Sequence, residues 1–228
     1  MRITLPMLCR ADETVIGCLR DGKSGSVALA AMVAVAGGAA LYGFAFGLWR
    51  SPEQALYSSI KMPAMMLAVV VISSLINILL AHVLGSGLSA AQTTTCVLLS
   101  LAITSILLAA VSPVMLLFVY QCPAPGEAGA MASYRVLLSG NTCAVALAGI
   151  AGNVRLYRLL REMTGSAMMA SRVLWSWILV TGLAGCELSW VCSPYLARPD
   201  LPVPFFNPNA FSSNFFEYLW RAVRGVLV

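Results

Sequence analysis

Five stretches of mostly apolar residues recur along the chain, separated by short polar segments. They cover about residues 26–49, 62–83, 95–120, 134–153 and 173–192. A helix needs roughly 20 mostly apolar residues to cross the hydrocarbon core of a bilayer. Each stretch is long enough, although the fourth is the least apolar. The pattern therefore predicts an all-α fold, a polytopic transmembrane helix bundle of about five spans.

Composition points to the same class of protein. Of the 228 residues, 60% are hydrophobic and 10% are charged, and the mean hydropathy is +0.86. A soluble domain averages about 25% charged residues, which it needs to cover its surface. This chain is too poor in charge to form a water-soluble fold of its size. Its net charge of +5 favours anionic lipid headgroups as partners over nucleic acid, since no basic-aromatic module is present.

Two segments outside these stretches have the pattern of helices that lie on the membrane surface. In the first, residues 51–61, Ser51 is a suitable N-cap, with Pro52 at the first helical position and Gln54 completing a capping box. The second begins near Phe215, with Asn214 as its N-cap. We predict three regions: a cytoplasmic N-terminal segment (1–25), the helix bundle (26–192), and a proline-rich connector with a C-terminal interfacial helix (193–228).

The second surface helix carries a narrow polar stripe of Glu217, Arg221 and Arg224, which share one helical face. We expect it to lie in the membrane plane, because an upright helix would place these charges in lipid. In the third stretch, Pro113 predicts a tilt or a kink.

Basic residues in the short connecting segments predict the orientation of the bundle. With the N-terminus in the cytoplasm, the inner segments carry eight basic residues and the outer segments six. The inner ones are Arg2, Arg10, Arg20, Lys23, Arg155, Arg158, Arg161 and Arg172. The outer ones are Arg50, Lys61, Arg135, Arg198, Arg221 and Arg224. The bias predicts a cytoplasmic N-terminus and a C-terminus on the opposite side.

Three polar residues within the predicted spans form a candidate intramembrane site: Glu187, Asn77 and Asn141. Ionisable groups in membrane spans are costly and often functional. Three interpretations of Glu187 stay open: a proton or cation site, a partner for a basic group of a neighbouring helix, or an acid near the helix end that reaches water or a headgroup. Asn77 and Asn141 either line a path or hydrogen-bond between helices, where each such bond contributes about 0.6 kcal/mol.

Arg155, Arg158 and Arg161 recur every three residues beyond the fourth stretch. We expect them to contact lipid headgroups, where each charge contributes about 1 kcal/mol near an anionic surface. A phosphate-bearing ligand is the alternative.

The seven cysteines contain no CxxC pair, and the chain has one histidine. Neither a metal site nor a cofactor site is predicted from these residues. Cys122 and Cys192 would mark the outer ends of the third and fifth spans. A disulfide between them is a hypothesis, and two free interfacial thiols are the alternative.

Residues 49–63 (WRSPEQALYSSIKMP) and 186–220 (CELSWVCSPYLARPDLPVPFFNPNAFSSNFFEYLW) together resemble a group of bacterial multi-pass membrane proteins similar to Yip1-domain proteins. The resemblance implies a five-span layout in a bacterial inner membrane. It implies no reaction and no catalytic residues. The acidic-tyrosine-glycine-proline signature of the eukaryotic proteins is absent, so no trafficking role is implied.

The sequence predicts a non-enzymatic scaffold or accessory subunit of a membrane assembly, with a protein partner or a second copy of the chain. Catalytic motifs are missing, and the spans offer few polar groups that could converge on a reacting atom. The alternative is a small transporter or channel with Glu187 on the path.

Overall fold

The computed structural model describes residues 4–10, 13–207, 210–217 and 219–220. It contains seven helices of six residues or more: α1 (Leu5–Arg10), α2 (Glu13–Arg20), α3 (Ser24–Gly47), α4 (Pro52–Val83), α5 (Ala90–Gln121), α6 (Ala130–Thr164) and α7 (Ala167–Cys192). Within the described ranges no strand is present. The helices α3 to α7 are long and apolar enough to cross a membrane. The predicted all-α, five-span fold is confirmed.

The first predicted surface helix is wrong. Residues 51–61 do not form a separate element, because α4 runs without a break from Pro52 to Val83. Ser51 is the N-cap, as predicted, and its hydroxyl accepts a hydrogen bond from the Gln54 N–H at 3.1 Å. The Gln54 side chain does not complete a capping box. Its amide donates instead to the carbonyl of Tyr195 at 3.1 Å, a partner that only tertiary structure supplies.

The fourth and fifth helices are longer than their apolar stretches. α6 continues beyond residue 153 to Thr164, because Leu156, Leu159 and Leu160 are buried and continue its apolar face. It ends at Gly165, whose φ of 68° is a left-handed conformation that favours glycine. α7 begins only two residues later, with Ser166 as its N-cap.

The long helices pack as a ring with one additional helix. α4, α5, α6 and α7 each pack against the next, and α7 closes the ring on α4. α3 lies outside the ring and packs against α4 and α5. Glycines allow the close approach of α3: a Cβ atom at Gly43 would lie 2.5 Å from the Ser58 carbonyl oxygen, and one at Gly38 the same distance from that of Ser105. A Cβ atom at Gly47 would lie 2.6 Å from the Gln54 carbonyl oxygen. Gly43 and Gly47 therefore both allow the close contact between α3 and α4 within one chain.

The two ends of the bundle differ in what covers them. At the N-terminal end, α1 and α2 pack across α3, α5 and α6. The Gln92 side chain donates to the Leu19 carbonyl there, at 2.9 Å. At the opposite end, which we call the connector end, Trp49 donates to the Pro123 carbonyl at 3.0 Å and Arg50 to that of Leu201 at 3.0 Å.

A short helical segment begins at Phe215, as predicted. The Asn214 side chain caps it by accepting a hydrogen bond from the Glu217 N–H at 2.8 Å. Arg221 and Arg224 of the predicted polar stripe lie outside the described residues. The in-plane orientation of this helix stays a prediction.

Candidate functional site

A cavity of about 670 Å³ lies inside the ring of helices and is partly open to the outside of the chain. Its wall is built from residues 62–69 of α4, 97–104 of α5, 141–156 of α6 and 177–189 of α7. Tyr195 and Phe215, which follow α7, complete the wall at the connector end. We call this cavity the chamber. It forms because α4 and α6, and likewise α5 and α7, face each other across the ring instead of packing together.

The chamber wall is mainly apolar. Among the described wall residues none is Lys, Arg, Asp, Glu or His. The polar groups are hydroxyls and amides, and several already have partners: Thr104 donates to the Ser100 carbonyl at 3.0 Å, and Asn153 to that of Gly149 at 2.9 Å. The Oδ1 atom of Asn141 differs, because it is buried and has no hydrogen-bond partner within the described part of the chain.

Residues 193–207, which we call the connector, fold back over the connector end and are held by side chains of α4. Lys61, whose side chain is buried, donates to the carbonyls of Pro194 at 2.6 Å and Phe205 at 2.8 Å. Its Nζ lies 5.8 Å from the ring centroid of Tyr195 and 5.4 Å from that of Phe205. Cation–π contacts of this kind stabilise a desolvated ammonium group.

Lys61 has no acidic partner among the described residues. A buried charge is costly unless its donors are satisfied. Backbone carbonyls and aromatic faces meet that need, and they come from a segment more than 130 residues away in sequence. Lys61 therefore fixes the connector on α4.

Gln54 and Ser58 extend the same attachment. Both side chains are fully buried and donate to the Tyr195 carbonyl, at 3.1 Å and 2.5 Å respectively. The Tyr57 ring packs edge-on against Phe205, with the centroids 4.9 Å apart. We call Gln54, Ser58 and Lys61 the connector clamp.

α7 holds the segment that follows the connector. The Glu187 carboxylate accepts a hydrogen bond from the Phe215 N–H at 3.4 Å, at the start of the short C-terminal helix. A carboxylate is favourable there, because the first N–H groups of a helix lack internal partners. Trp190 donates to the Ser213 carbonyl at 3.0 Å. Phe215, held in this way, closes part of the chamber.

Among the described residues outside the spans, Tyr195 and Asp200 have shifted pKa values. Burial raises the pKa of the Tyr195 hydroxyl, which lies beside Ser189 and Cys192. The hydrogen bonds from Arg198 lower the pKa of Asp200 on the exposed surface of the connector. The Tyr195 phenol therefore stays neutral at the chamber's edge.

The structure does not bring the three predicted intramembrane residues together. Asn141 lies in the chamber wall. Asn77 is fully buried where α4 contacts α7: its side-chain amide donates to the Thr181 hydroxyl at 3.4 Å, and its backbone carbonyl accepts from the Trp177 indole N–H at 3.2 Å. Glu187 is not a wall residue and contacts the C-terminal segment instead.

The three arginines predicted to contact lipid headgroups all lie on α6, but in different surroundings. Arg155 is partly buried beside Leu8 and Val15 of the N-terminal helices. Arg158 and Arg161 are exposed, and Arg161 is 4.0 Å from the Glu162 carboxylate. A spacing of three residues turns each arginine about 60° from the last around the helix. The headgroup contact stays a prediction, and Arg158 and Arg161 are the exposed members.

The predicted Cys122–Cys192 bridge is not present in this structure, where both thiols are free. Cys122 follows the end of α5 and Cys192 ends α7. These helices lie on opposite sides of the ring, and α7 packs against α4 and α6. The hypothesis assumed that parallel spans are neighbours, which the ring order does not provide.

The connector clamp is a structural feature beside the chamber that sequence reasoning missed. Lys61 counted only as an outer-side charge in the sequence. A signal was present, since Lys61 interrupts an otherwise apolar run and lies at i+7 from Gln54 and i+3 from Ser58, on one helical face. The acceptors on the connector are backbone carbonyl groups, which no sequence pattern identifies.

Comparison of the chain with protein-family models, with curated proteins and with solved structures finds no match. The resemblance to Yip1-like proteins therefore stays a prediction.

Proposed function

We propose that this membrane protein holds a lipophilic molecule inside the bilayer, as a non-enzymatic carrier or binding subunit. The observation that carries the proposal is the chamber of about 670 Å³ between the spanning helices. Ligand pockets in proteins range from about 300 to 1,000 Å³ and are mostly apolar with a few polar groups. The chamber has both properties.

The character of the wall supports binding over catalysis. Its polar groups are mainly hydroxyls and amides, and Thr104 and Asn153 already donate to carbonyl groups of their own helices. Catalysis needs polar groups that converge on a reacting atom. The wall also disfavours an ion path, because an ion leaving water needs charges or many aligned dipoles to replace its hydration. A function as a scaffold in a larger assembly stays a prediction from the sequence.

The test is to fill the chamber and measure what stays bound. Gly149 and Gly182 line it, and a Cβ atom at either position would meet nothing within 4 Å. The variants Gly149→Phe and Gly182→Phe should therefore fold with a benzyl group in the chamber. Wild-type protein purified in mild detergent should carry a stoichiometric hydrophobic molecule, detected by mass spectrometry of an organic extract. Both variants should lose it.

Gly140→Phe is the matched control. Gly140 lies on α6 in equally open surroundings but is not a wall residue. It should retain the molecule at the wild-type level. Equal retention by all three variants would place the bound molecule on the lipid-facing surface and refute the proposal.

We also propose that the protein lies in a bacterial inner membrane with the N-terminal end in the cytoplasm. The charge distribution over the two ends supports this orientation. The N-terminal end carries Arg20, Lys23, Arg155, Arg158, Arg161 and Arg172; the connector end carries Arg50, Arg135 and Arg198, with Lys61 buried. Reporter fusions after residues 25 and 228 should report opposite sides, and signals on the same side would exclude this topology.

A further inference from the structure

The chamber wall is more exposed on one side than on the other. Four of its described residues are exposed, and all four lie on α6 or α7: Thr142, Val145, Ala146 and Gly182. The described wall residues of α4 and α5 are buried or partly buried. α3 packs over these two helices from outside the ring. The opening of the chamber therefore lies between α6 and α7.

The packing of α6 and α7 explains why a gap forms at this position. Gly165 and Ser166 alone connect the two helices, so the helices lie side by side at the N-terminal end of the bundle. Further along, a Cβ atom at Gly149 of α6 or at Gly182 of α7 would meet nothing within 4 Å among the described residues. α7 has its buried residues in the half that follows the turn: Ala170, Val173 and Trp177. The helices are thus packed beside the turn and separated beyond it.

The gap lies at the depth of the hydrocarbon core. Ala146 and Gly182 are near the middle of α6 and of α7, two helices that are long enough to cross a membrane. The middle of a spanning helix lies inside the hydrocarbon core, which is about 30 Å thick. The same helix segments carry large apolar side chains that are exposed and can contact lipid chains: Leu147, Ile150, Leu179 and Leu183. The gap therefore faces lipid chains.

The two ends of the chamber that face the membrane surfaces are covered. Tyr195 and Phe215 complete the wall at the connector end. At the N-terminal end, Leu156 separates the chamber from a second cavity of about 10 Å³, which Leu8 of α1 and Val15 of α2 help to enclose. A cavity of that size holds about one water molecule. The side of the chamber therefore offers a wider entrance than its ends.

We infer that the gap between α6 and α7 is a lateral portal, through which an apolar molecule enters the chamber from the bilayer and not from water. The portal is the opening bordered by Thr142, Val145, Ala146 and Gly182. This inference rests on the proposed function, since it names the source of the molecule that the chamber holds. A molecule that moves from the hydrocarbon core into the apolar chamber does not expose its surface to water, which would be unfavourable.

Photolabelling from the bilayer tests the portal. The full-length protein is depleted of bound lipophilic molecules in detergent, which mass spectrometry of an extract verifies, and is reconstituted in phosphatidylcholine vesicles. The probe is an iodophenyl trifluoromethyl diazirine, which dissolves in hydrocarbon and reacts with nearby residues on irradiation. Tandem mass spectrometry identifies the labelled residues. The probe should label Met66 and Val69 in the wall, as well as the exposed Leu75 on the same helix.

A variant at the portal separates entry from binding. Labelling is measured against the dark interval between addition of the probe and a short flash. Ala146→Trp should slow the approach of wall labelling to its plateau about fivefold, because the indole must move aside before the probe passes. The plateau and the labelling of Leu75 should not change. Leu147→Trp is the matched control, since Leu147 is 68% exposed and is not a wall residue; its wall labelling should follow the wild-type time course.

A charged probe tests entry from water. A diazirine sulfonate of similar structure stays in the aqueous phase and should label Phe211, which is 97% exposed, but not Met66 or Val69. Faster labelling of Met66 and Val69 by the sulfonate than by the apolar probe would overturn the portal and leave binding in the chamber intact. So would a lower plateau that Ala146→Trp reaches at the wild-type rate, because the indole would then fill the chamber without covering its entrance. Absence of wall labelling by both probes would refute the ligand-binding function itself.

Discussion

The bundle has a tightly packed half and a loosely packed half. We compare the share of an apolar 18-residue stretch of each helix that is buried within the chain. This share is 39% in α3, 39% in α4 and 44% in α5, but 17% in each of α6 and α7. Glycines at 38, 43 and 47 bring α3 against backbone atoms of α4 and α5. On the α7 side, a Cβ atom at Gly185 would lie 4.0 Å from Val69. The difference shows that α3, α4 and α5 pack closely on one another, while α6 and α7 bury less of their surface and complete the chamber wall on the other side.

The strongest test of the packed half is an added methyl group at the α3–α5 contact. Gly38→Ala would place a Cβ atom 2.5 Å from the Ser105 carbonyl oxygen, on rigid backbone. We expect a loss of about 3 kcal/mol in the free energy of unfolding, at the upper end of the range for overpacking. Thermal unfolding in mild detergent measures it. Gly37→Ala, next to it with nothing within 4 Å, should unfold at or above the wild-type temperature; equal losses would contradict the assigned contact.

A second test addresses the attachment of residues 193–207 to α4, in the tightly packed half. Lys61→Met keeps the bulk of the side chain but leaves the Pro194 and Phe205 carbonyls without their donor. We expect a stability loss of about 1–2 kcal/mol, because removal of the buried charge offsets part of the cost. Hydrogen exchange measured by mass spectrometry should accelerate in residues 193–207.

Ser59→Ala is the control for this variant, since the Ser59 hydroxyl donates to the Leu56 carbonyl of its own helix at 2.8 Å and bonds to no other element in the described part of the chain. Unchanged exchange in the connector of Lys61→Met would mean that Gln54 and Ser58 suffice to hold it.

The smallest expected effect lies in the loosely packed half. Gly149→Ala adds a methyl group that projects into open space on α6. It should stabilise the protein by about 0.5–1 kcal/mol, the usual advantage of alanine over glycine within a helix. Gly152→Ala, one turn further along, would meet the Ser100 carbonyl oxygen at 2.6 Å and should destabilise. If both variants changed the unfolding temperature in the same direction, the boundary between contact and chamber would be misplaced.

Sequence reasoning predicted the class of fold and the number of spans, because bilayer thickness imposes a length that apolar runs record directly. It placed the Ser51 and Asn214 caps correctly, since capping depends on a few neighbouring residues. It failed for the start of α4 and the end of α6. At the start of α4, polar residues such as Gln54 and Lys61 continue the helix because their partners come from residues 194–205. It also missed the chamber, because empty space depends on which helices are neighbours.

The connector clamp has a consequence for how the chain is made. Lys61 leaves the ribosome 133 residues before Pro194. At synthesis rates of about 5–20 residues per second, that interval lasts roughly 7 to 27 seconds. Throughout it, α4 carries an ammonium group whose final acceptors do not yet exist. The nascent helix must therefore keep Lys61 at the boundary between membrane and water. The final depth of Lys61 is set only when the segment that carries its acceptors has been synthesised.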